Sequence, residues 1–469
     1  MWNDLGIADP ACLQRLWFRI QDDPEASRLY LHFTPAGAIE KIEAVQNARL
    51  VSADQTTRTT VTGNRLELEF DAPADESLLK KARVIGRGVV EGKPQPSARL
   101  SPETRVLRSE SIELIMRAGG REVDTVLTHA PGSVEFLPNR PGQRRRSMDG
   151  ERLVFTYGPE NRIRSFRASK VSTRTEGAAP SGKPEPAPVL TWSRELHADF
   201  DPKSGDVLLM VQSGDFRYEE ASRRGRAGRA VFDAPHNRIT LEGAARLWDP
   251  AGSVDADQIV LDQATGDVLA HGKVSSTREP DSRKSDSGLL SAGQPLQAKA
   301  DHMLALDSNN LLRYEGSAVL WQGANRIRGD WIEIDRKARR LVARGNVKSQ
   351  FVEDVAPAAA EGTERNYTVI DAPEMVYTDA DGTARYRGGV TMLRGGMTVK
   401  ARELNAVLAA GDAGSRLEKL LADGGVEIVE HSAGRVRKGT AEHAEYYAGE
   451  PSELAAAGSA AGAIGEHRL

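Results

Sequence analysis

Three similar segments of this chain share one separation, 15 positions from an aspartate to a glycine: Asp257 to Gly272, Asp301 to Gly316 and Asp330 to Gly345. The third copy lies in residues 328–347, RGDWIEIDRKARRLVARGNV. Its first half alternates apolar and polar residues, a short basic turn follows, and a second apolar segment ends at the glycine. Alternation on both sides of a turn is typical of a β-hairpin.

Looser copies of this pattern begin near residues 196, 372 and 401. Self-similarity at a short period indicates repeated supersecondary units that stack and complete a shared core. The sequence therefore predicts an all-β protein, built as an open, solenoid-like series of short antiparallel hairpins.

The composition is compatible with thin sheets and a narrow core. Aromatic residues make up 5% of the chain, hydrophobic residues 39% and charged residues 28%. A net charge of -4 gives no general attraction for nucleic acid, and we expect no nucleic-acid partner. Cys12 is the only cysteine, which excludes an intrachain disulfide and a cysteine-based zinc site.

The sequence contains no apolar run of the roughly 18 residues that a membrane helix needs. Its first residues, MWNDLGIADP, lack the charged and then apolar pattern of a signal peptide. We expect either a cytoplasmic protein or a piece of a longer chain, and favour the piece.

Changes in composition predict the domain organisation. Residues 1–30 form either a short amphipathic helix, because Leu13, Leu16, Trp17 and Ile20 have helical spacing, or a strand of an incomplete sheet. Residues 416–422 also have helical spacing, but they occupy the second strand of a repeat and we predict a strand. The remaining segments are a diverged β module (31–177), a Pro- and Gly-rich linker (178–188), a β module (189–355) with an exposed insertion loop (277–295), a further β module (367–447) and an Ala- and Gly-rich tail (448–469).

The motifs of common enzyme classes are missing. The glycines near residue 88 do not have dinucleotide-binding spacing, and no Gly-Lys pair is followed by Ser or Thr as a phosphate-binding loop requires. Asp379, Asp381 and Gly382 resemble half of a calcium loop, but the required ligand positions fall on Tyr377 and Gly388, and we predict a hairpin turn. We expect no catalytic residue, no metal and no cofactor.

Two weaker features remain open. Asp255 and Asp257 could form an acid pair of a carbohydrate-active enzyme, although carboxylates at a strand start usually face solvent. Two basic clusters in turn-like sequence are either solvated surfaces or binding sites for an anionic head group. The clusters comprise Arg144, Arg145 and Arg146, and Arg223, Arg224 and Arg226.

Three segments in combination, residues 314–322 (YEGSAVLWQ), 327–335 (IRGDWIEID) and 341–347 (LVARGNV), resemble the OstA-like domain of the periplasmic lipopolysaccharide-transport proteins of the LptA type. The resemblance is best over residues 189–355. It implies a twisted, open β-jellyroll whose apolar groove receives the acyl chains of lipopolysaccharide. It also implies a periplasmic location, and edge-strand pairing with other lipopolysaccharide-transport proteins or, head to tail, with copies of the same chain.

Two facing sheets leave a slot about 10 Å across, which an acyl chain could occupy. Alternation along the strands assigns six aliphatic side chains to this groove: Ile259, Leu261, Leu304, Leu306, Ile332 and Ile334. The leading hypothesis is a non-catalytic lipid-binding bridge. The alternatives are a structural or cell-surface β-solenoid without a ligand, and a carbohydrate-active β-helix enzyme.

Overall fold

The structure, a computed structural model, describes residues 16–18, 28–53, 57–71, 77–95, 103–139, 144–176, 186–203, 205–280, 294–307, 309–352, 367–411, 414–432 and 435–447. Within these ranges the chain forms β-strands and a short 3-10 turn at Pro159–Asn161, and no α-helix. Every strand pairing that is described is antiparallel. The prediction of an all-β protein made of antiparallel hairpins is confirmed.

The chain divides into two compact units, residues 1–242 and 243–469. Strand β15 (Arg238–Asp249) contains the division. The first unit holds fourteen further strands: β1 (Leu16–Phe18), β2 (Arg28–Phe33), β3 (Ile39–Ala53), β4 (Thr57–Asp71), β5 (Leu78–Pro94), β6 (Glu103–Met116), β7 (Val123–Thr128), β8 (Gly132–Pro138), β9 (Arg146–Gly150), β10 (Arg152–Tyr157), β11 (Ile163–Thr175), β12 (Val189–Phe200), β13 (Val207–Glu220) and β14 (Arg223–Asp233).

In the first unit, two adjacent pairs of short strands lie between the long strands β6 and β11. β6 pairs with β7 along one half of its length and with β8 along the other. β11 pairs in the same way with β10 and β9. Each short pair therefore takes the place of one long strand that is interrupted in the middle. Aliphatic and Phe side chains from both halves of these strands form the hydrophobic core, in which Ile42, Leu68, Ile112 and Leu153 are almost fully buried.

The second unit is a regular meander in which each strand pairs with the next strand along the chain. Its strands are β16 (Gly252–Asp262), β17 (Val268–Arg278), β18 (Leu296–Leu306), β19 (Leu311–Gln322), β20 (Asn325–Asp335), β21 (Arg340–Val352), β22 (Tyr367–Thr378), β23 (Thr383–Arg394), β24 (Met397–Gly411), β25 (Gly414–Ser432) and β26 (Arg435–Tyr447).

Every pairing in this meander is interrupted near its middle by a register shift. In β21 the shift falls at Gly345 and Asn346, which both have left-handed backbone angles (φ of 71° and 48°). The Asp330 carboxylate of β20 lies against Gly345, where a β-carbon would collide with it, and the Asn346 amide donates a hydrogen bond to Asp330 at 2.9 Å. The repeated Asp and Gly thus mark a bulge at which the paired strands bend.

Strand pairing extends across both segments that were predicted to separate modules. β11 pairs with β12 across residues 178–188, and β21 pairs with β22 across residues 353–366. The division into modules therefore stays a prediction. Residues 277–295 of the predicted insertion are described only at their two ends, and residues 448–469 lie outside the described residues.

Three local predictions can be compared with the structure. Residues 16–18 form a strand that pairs with β3, as in the second alternative for the N-terminal segment. Residues 416–422 belong to β25, which confirms a strand there. The turn-like interpretation of the basic clusters was wrong at Arg223, Arg224 and Arg226, which lie in β14, and at Arg146, which begins β9. Small residues that alternate with the arginines at 223–229 face the inside of the sheet there, which allows a strand.

Candidate binding site

One row of side chains crosses the whole second unit at directly opposed positions. We call it the Ile332 row, and it contributes one residue from each of the eleven strands. All of its members are buried, and six of them are 0% exposed. The row comprises Ile259, Ala270, Met303, Tyr314, Ile332, Ala343, Met375, Tyr386, Leu404, Ala422 and Ala444.

A second row lies on the other side of the bulges, and we call it the Leu320 row. Its central members are buried, and apart from Ser276, Ser349 and Gly439 it is apolar. The row comprises Val254, Ser276, Ala298, Leu320, Ile327, Ser349, Ile370, Met392, Val399, Ile428 and Gly439.

A buried hydrogen bond shows that the two rows face each other. The hydroxyl groups of Ser276 in β17 and Tyr314 in β19 lie 3.0 Å apart. The two strands are not neighbours in the meander, and the two residues lie on opposite sides of the bulges. The bend therefore folds the sheet onto itself, with the Ile332 row and the Leu320 row on the two walls of one narrow interior.

Four of the six aliphatic residues predicted for the groove point into this interior. Ile259 and Ile332 belong to the Ile332 row, and Ile334 lies two residues further along on the same face and is buried. Leu261 is on the same face as Ile259 but is half-buried, because it lies near the end of β16.

Leu304 and Leu306 point to the opposite face, and their assignment to the groove is corrected. In β18 the buried residues before the bulge are Ala298 and Ala300, which by simple alternation would place residues 304 and 306 inside. The register shift between Lys299 and His302 moves the pattern by one residue. Met303 and Ala305 are therefore the buried pair.

An apolar pocket remains between the two walls at β23–β26. Met392, Val399 and Ile428 line it from the Leu320 row, and Leu404, Ala422 and Ala444 line it from the Ile332 row. Met397, Leu420, Glu445 and Tyr446 complete the lining. Sequence reasoning missed these residues, although their alternation could have been followed through the Gly-Gly pairs at 388–389 and 424–425, where the bulges occur.

Charged side chains lie at the rim of this pocket. The guanidinium of Arg394 lies 4.9 Å from the centre of the Tyr446 ring. Glu445 contacts Tyr447, His443 at 3.1 Å and Lys419 at 3.0 Å. These hydrogen bonds, that of Tyr447 first, lower the pKa of Glu445 to about 2. The pocket thus combines an apolar lining with cationic and anionic groups at its edge.

Polar side chains enter the interior of the first unit near its end. The Thr173 and Thr191 hydroxyls lie 2.6 Å apart, and the buried Gln212 amide donates a hydrogen bond to Thr191 at 2.8 Å. Nearby, burial and the contact with Glu220 raise the pKa of Tyr218. A small polar cluster thus lies beside the apolar core at β11–β13.

The six predicted head-group arginines lie at the surface and are divided between two strands and a loop. Arg145 contacts Glu135 at 3.2 Å, and Arg146 contacts Glu103 at 2.6 Å and lies over the Phe136 ring. Arg144 is exposed. In β14, Arg223 and Arg224 lie 3.8 Å and 3.6 Å from Glu220 and Glu219, and Arg226 is exposed. Their role in head-group binding stays a prediction.

The two aspartates considered as an acid pair have other partners. The Asp255 carboxylate lies 3.6 Å from Arg246, and the Asp257 side chain packs against the backbone at Gly272. Among the described residues, no group of three or more His, Cys, Asp or Glu side chains is arranged to hold a metal ion. In the same part of the chain, no helix is long and apolar enough to cross a membrane.

No protein-family model matches the sequence, and no curated protein is significantly similar to it. Among solved structures, the chain is similar to LptH, the LptA homologous periplasmic component of the lipopolysaccharide transport device from Pseudomonas aeruginosa. The identity is 15%, the match covers 31% of this chain and 94% of that chain, and the TM-score is 0.21. A TM-score this low does not support a conclusion about function.

Proposed function

We propose that the protein is a non-catalytic lipid-binding bridge that carries lipopolysaccharide across the periplasm, with acyl chains between the two walls of the bent sheet. The observation that carries this proposal is the interior itself. The Ile332 row and the Leu320 row line it across eleven consecutive strands, and an apolar pocket remains at β23–β26.

The energetics favour an acyl chain in such an interior. Each CH₂ group that leaves water contributes about 0.8 kcal/mol, so affinity should grow with the length of acyl chain that the interior covers. The charged groups at the rim, Arg394 and Glu445 among them, would remain beside a polar head group. Edge-strand pairing with other transport proteins or with further copies of the chain would extend the same interior, because a bent strand can add to a bent strand.

The experiment is native mass spectrometry of the full chain after extraction from bacterial membranes. We expect bound lipopolysaccharide or a related lipid on the wild type. Ala422→Trp, which fills the pocket, should lower the bound fraction, whereas Leu393→Trp, on the exposed face of β23, should leave it unchanged. Thermal unfolding of both variants shows whether each remains folded. Equal lipid on both folded variants, or none on the wild type, would refute the proposal.

A structural β-solenoid without a ligand is the second candidate, and one observation favours it. Around β17–β20 the interior is closed by direct contact between the walls, through the Ser276 and Tyr314 hydroxyls. If the interior is permanently packed, the wild type should purify without lipid. Ala422→Trp would then change only the stability of the fold, as a packing defect.

A further inference from the structure

Two histidine rings contact each other on the outer face of the second unit. His271 in β17 and His302 in β18 lie at directly opposed positions beside the bulges of their strands, and both are exposed. Their Nδ1 atoms are 2.8 Å apart and their ring centroids 4.5 Å apart. The pair thus brings together two nitrogen ligands of the kind that transition metals prefer. Four other histidines in the described part of the chain contact carboxylates instead: His129, His197, His236 and His443.

The separation of the two Nδ1 atoms fits a metal ion that binds both of them. With metal–nitrogen distances of about 2.0–2.1 Å, the 2.8 Å between the nitrogens corresponds to a nitrogen–metal–nitrogen angle of about 85–90°. Neighbouring ligands in square-planar and octahedral coordination have this angle, whereas tetrahedral ligands would lie about 3.3 Å apart. The geometry therefore suits Cu²⁺ or Ni²⁺ better than Zn²⁺.

Three carboxylates lie beside the histidine pair in the sheet. Glu315 is directly opposite His302 on β19, Asp301 precedes His302 in β18, and Asp257 packs against the bulge glycine of β17. None of the three forms an ion pair with a described residue. Their negative charge favours a cation at the histidine pair.

The same row of the outer face supplies its own cations further along the sheet. At the positions that continue from Glu315, Arg344 contacts Glu374 at 3.0 Å and Arg387 lies 3.8 Å from Glu403. At β17–β19 the row holds two histidines and a carboxylate without an ion pair. The arginine that balances the carboxylates elsewhere in the row is missing there, and a divalent cation would take its place.

We propose that the Nδ1 atoms of His271 and His302 bind one divalent transition-metal ion of the Cu²⁺ or Ni²⁺ class. Water completes the coordination, because no third His, Cys, Asp or Glu side chain of the described residues is arranged as a ligand. Each ring binds the metal in its neutral form with its proton on Nε2, and the metal links β17 to β18 beside their bulges. The site lies on the outer face, so this inference does not depend on the proposed function.

The test is isothermal titration calorimetry of the full chain with CuCl₂ and with ZnCl₂ at neutral pH. We expect the wild type to bind Cu²⁺ at this site, and Zn²⁺ at least about tenfold more weakly. His271→Ala and His302→Ala should each weaken Cu²⁺ binding by at least about tenfold, since even the loss of a partner of a ligand costs that much. Electron paramagnetic resonance of the copper complex should show two nitrogen ligands in the wild type and fewer in either variant.

The matched control is His236→Ala, which removes an exposed histidine that contacts the Asp233 carboxylate and should leave Cu²⁺ binding unchanged. Thermal unfolding shows whether each variant remains folded. The inference would be overturned by a wild type that binds no Cu²⁺, by wild-type affinity in both His271→Ala and His302→Ala, or by Zn²⁺ binding as tight as that of Cu²⁺. Each of these results leaves the lipid-binding proposal as it stands, because that proposal concerns the interior.

Discussion

Bulges bend the sheet in both units, as in β3 and β5 of the first, but the first unit also contains a second kind of bend, a break in a strand. In the second unit, each bend is a bulge with two left-handed residues, as at Gly345 and Asn346, covered by a side chain from the preceding strand. In the first unit, the strand beside β6 is broken into β7 and β8 at residues 129–131. The same change of direction is thus achieved by backbone conformation in one region and by interrupting the chain in the other.

The interrupted bend depends on a cluster of charges. One carboxylate oxygen of Glu113 in β6 contacts Lys81 at 2.9 Å, Arg83 at 2.9 Å and His129 at 3.2 Å. Nearby, the Ser109 hydroxyl contacts the carbonyl oxygens of Ala130 and Pro131. Several charged side chains therefore surround the break, whereas the bulge at Gly345 packs closely against a single aspartate, Asp330. The comparison predicts that stability at the broken strand beside β6 depends on charge. Stability at a bulge should depend on the volume added at its glycine.

The largest expected effect comes from Glu113→Gln. The side chain of Glu113 is 8% exposed, and its loss of charge leaves Lys81, Arg83 and the His129 ring without their shared charged partner. We expect a loss of about 2 kcal/mol in the free energy of unfolding, less than for a fully buried pair because Arg83 and His129 are partly exposed. Denaturant unfolding measures it. Glu151→Gln, at an exposed ion pair with Lys170, should change stability by much less.

The same cluster gives a pH dependence with a definite sign. Burial alone would raise the pKa of Glu113, but hydrogen bonds from Lys81, Arg83 and His129 outweigh it and lower the pKa to about 2. Because the pKa is lowered in the folded state, the stabilisation is present above the ordinary value of 4.5 and is lost as the pH falls toward 2. In Glu113→Gln this part of the acid destabilisation should disappear. If the free energy of unfolding falls with decreasing pH in the same way in Glu113→Gln and in the wild type, the role given to the cluster is contradicted.

The second largest effect is expected for Gly345→Ala. The new β-carbon would meet the Asp330 carboxylate, and alanine would be strained at a φ of 71°. We expect a loss of about 2 kcal/mol in the free energy of unfolding. Gly389→Ala is the control, because that glycine also has a positive φ of 93° but has no atom within 4 Å of the added carbon. Equal losses in the two variants would show that the packed aspartate does not matter.

These two bends also show what the sequence could predict. The separation from Asp330 to Gly345 can be read from the sequence, and in the structure it corresponds to a hairpin with a bulge. A bulge also changes which side chains point to the inner face of the sheet, and the sequence analysis did not take this into account. It therefore placed Leu304 and Leu306 inside, where Met303 and Ala305 lie. A bulge changes the phase of alternation by one residue, and its position within the strand decides which residues are affected.

The Glu113 cluster and the pocket at β23–β26 could not be predicted from the sequence, for a different reason. Lys81, Arg83 and His129 lie 16 to 32 positions from Glu113 in a part of the chain without clear repeats, and only strand register brings them together. The pocket depends on how far two walls separate, which alternation along one strand does not specify.

A smaller effect sharpens the comparison within the second unit. Tyr314→Phe leaves the buried Ser276 hydroxyl without its partner, and we expect a loss of about 1 kcal/mol in the free energy of unfolding. Tyr386→Phe removes a hydroxyl that faces the Ser349 hydroxyl without forming a hydrogen bond of good geometry, so we expect a smaller loss. Thermal unfolding of the purified, lipid-free variants measures both. A loss in Tyr386→Phe as large as that in Tyr314→Phe would mean that the two pairs are equivalent.

The smallest expected effect concerns a charged cluster in the second unit, between β25 and β26. His443 in β26 contacts Asp423 at 2.6 Å and Glu445 at 3.1 Å, and these carboxylates raise its pKa. The protonated ring stabilises the pairing of β25 with β26 below the ordinary value of 6.5, and this stabilisation is lost as the pH rises through the raised pKa. Hydrogen exchange of the β26 amides, corrected for the intrinsic rate, should accelerate slightly above that pH. His443→Gln should abolish the change, whereas His236→Gln, in the first unit, should preserve it. If exchange in β26 is independent of pH in the wild type, charge does not contribute to this pairing, and the contrast with the Glu113 cluster becomes sharper.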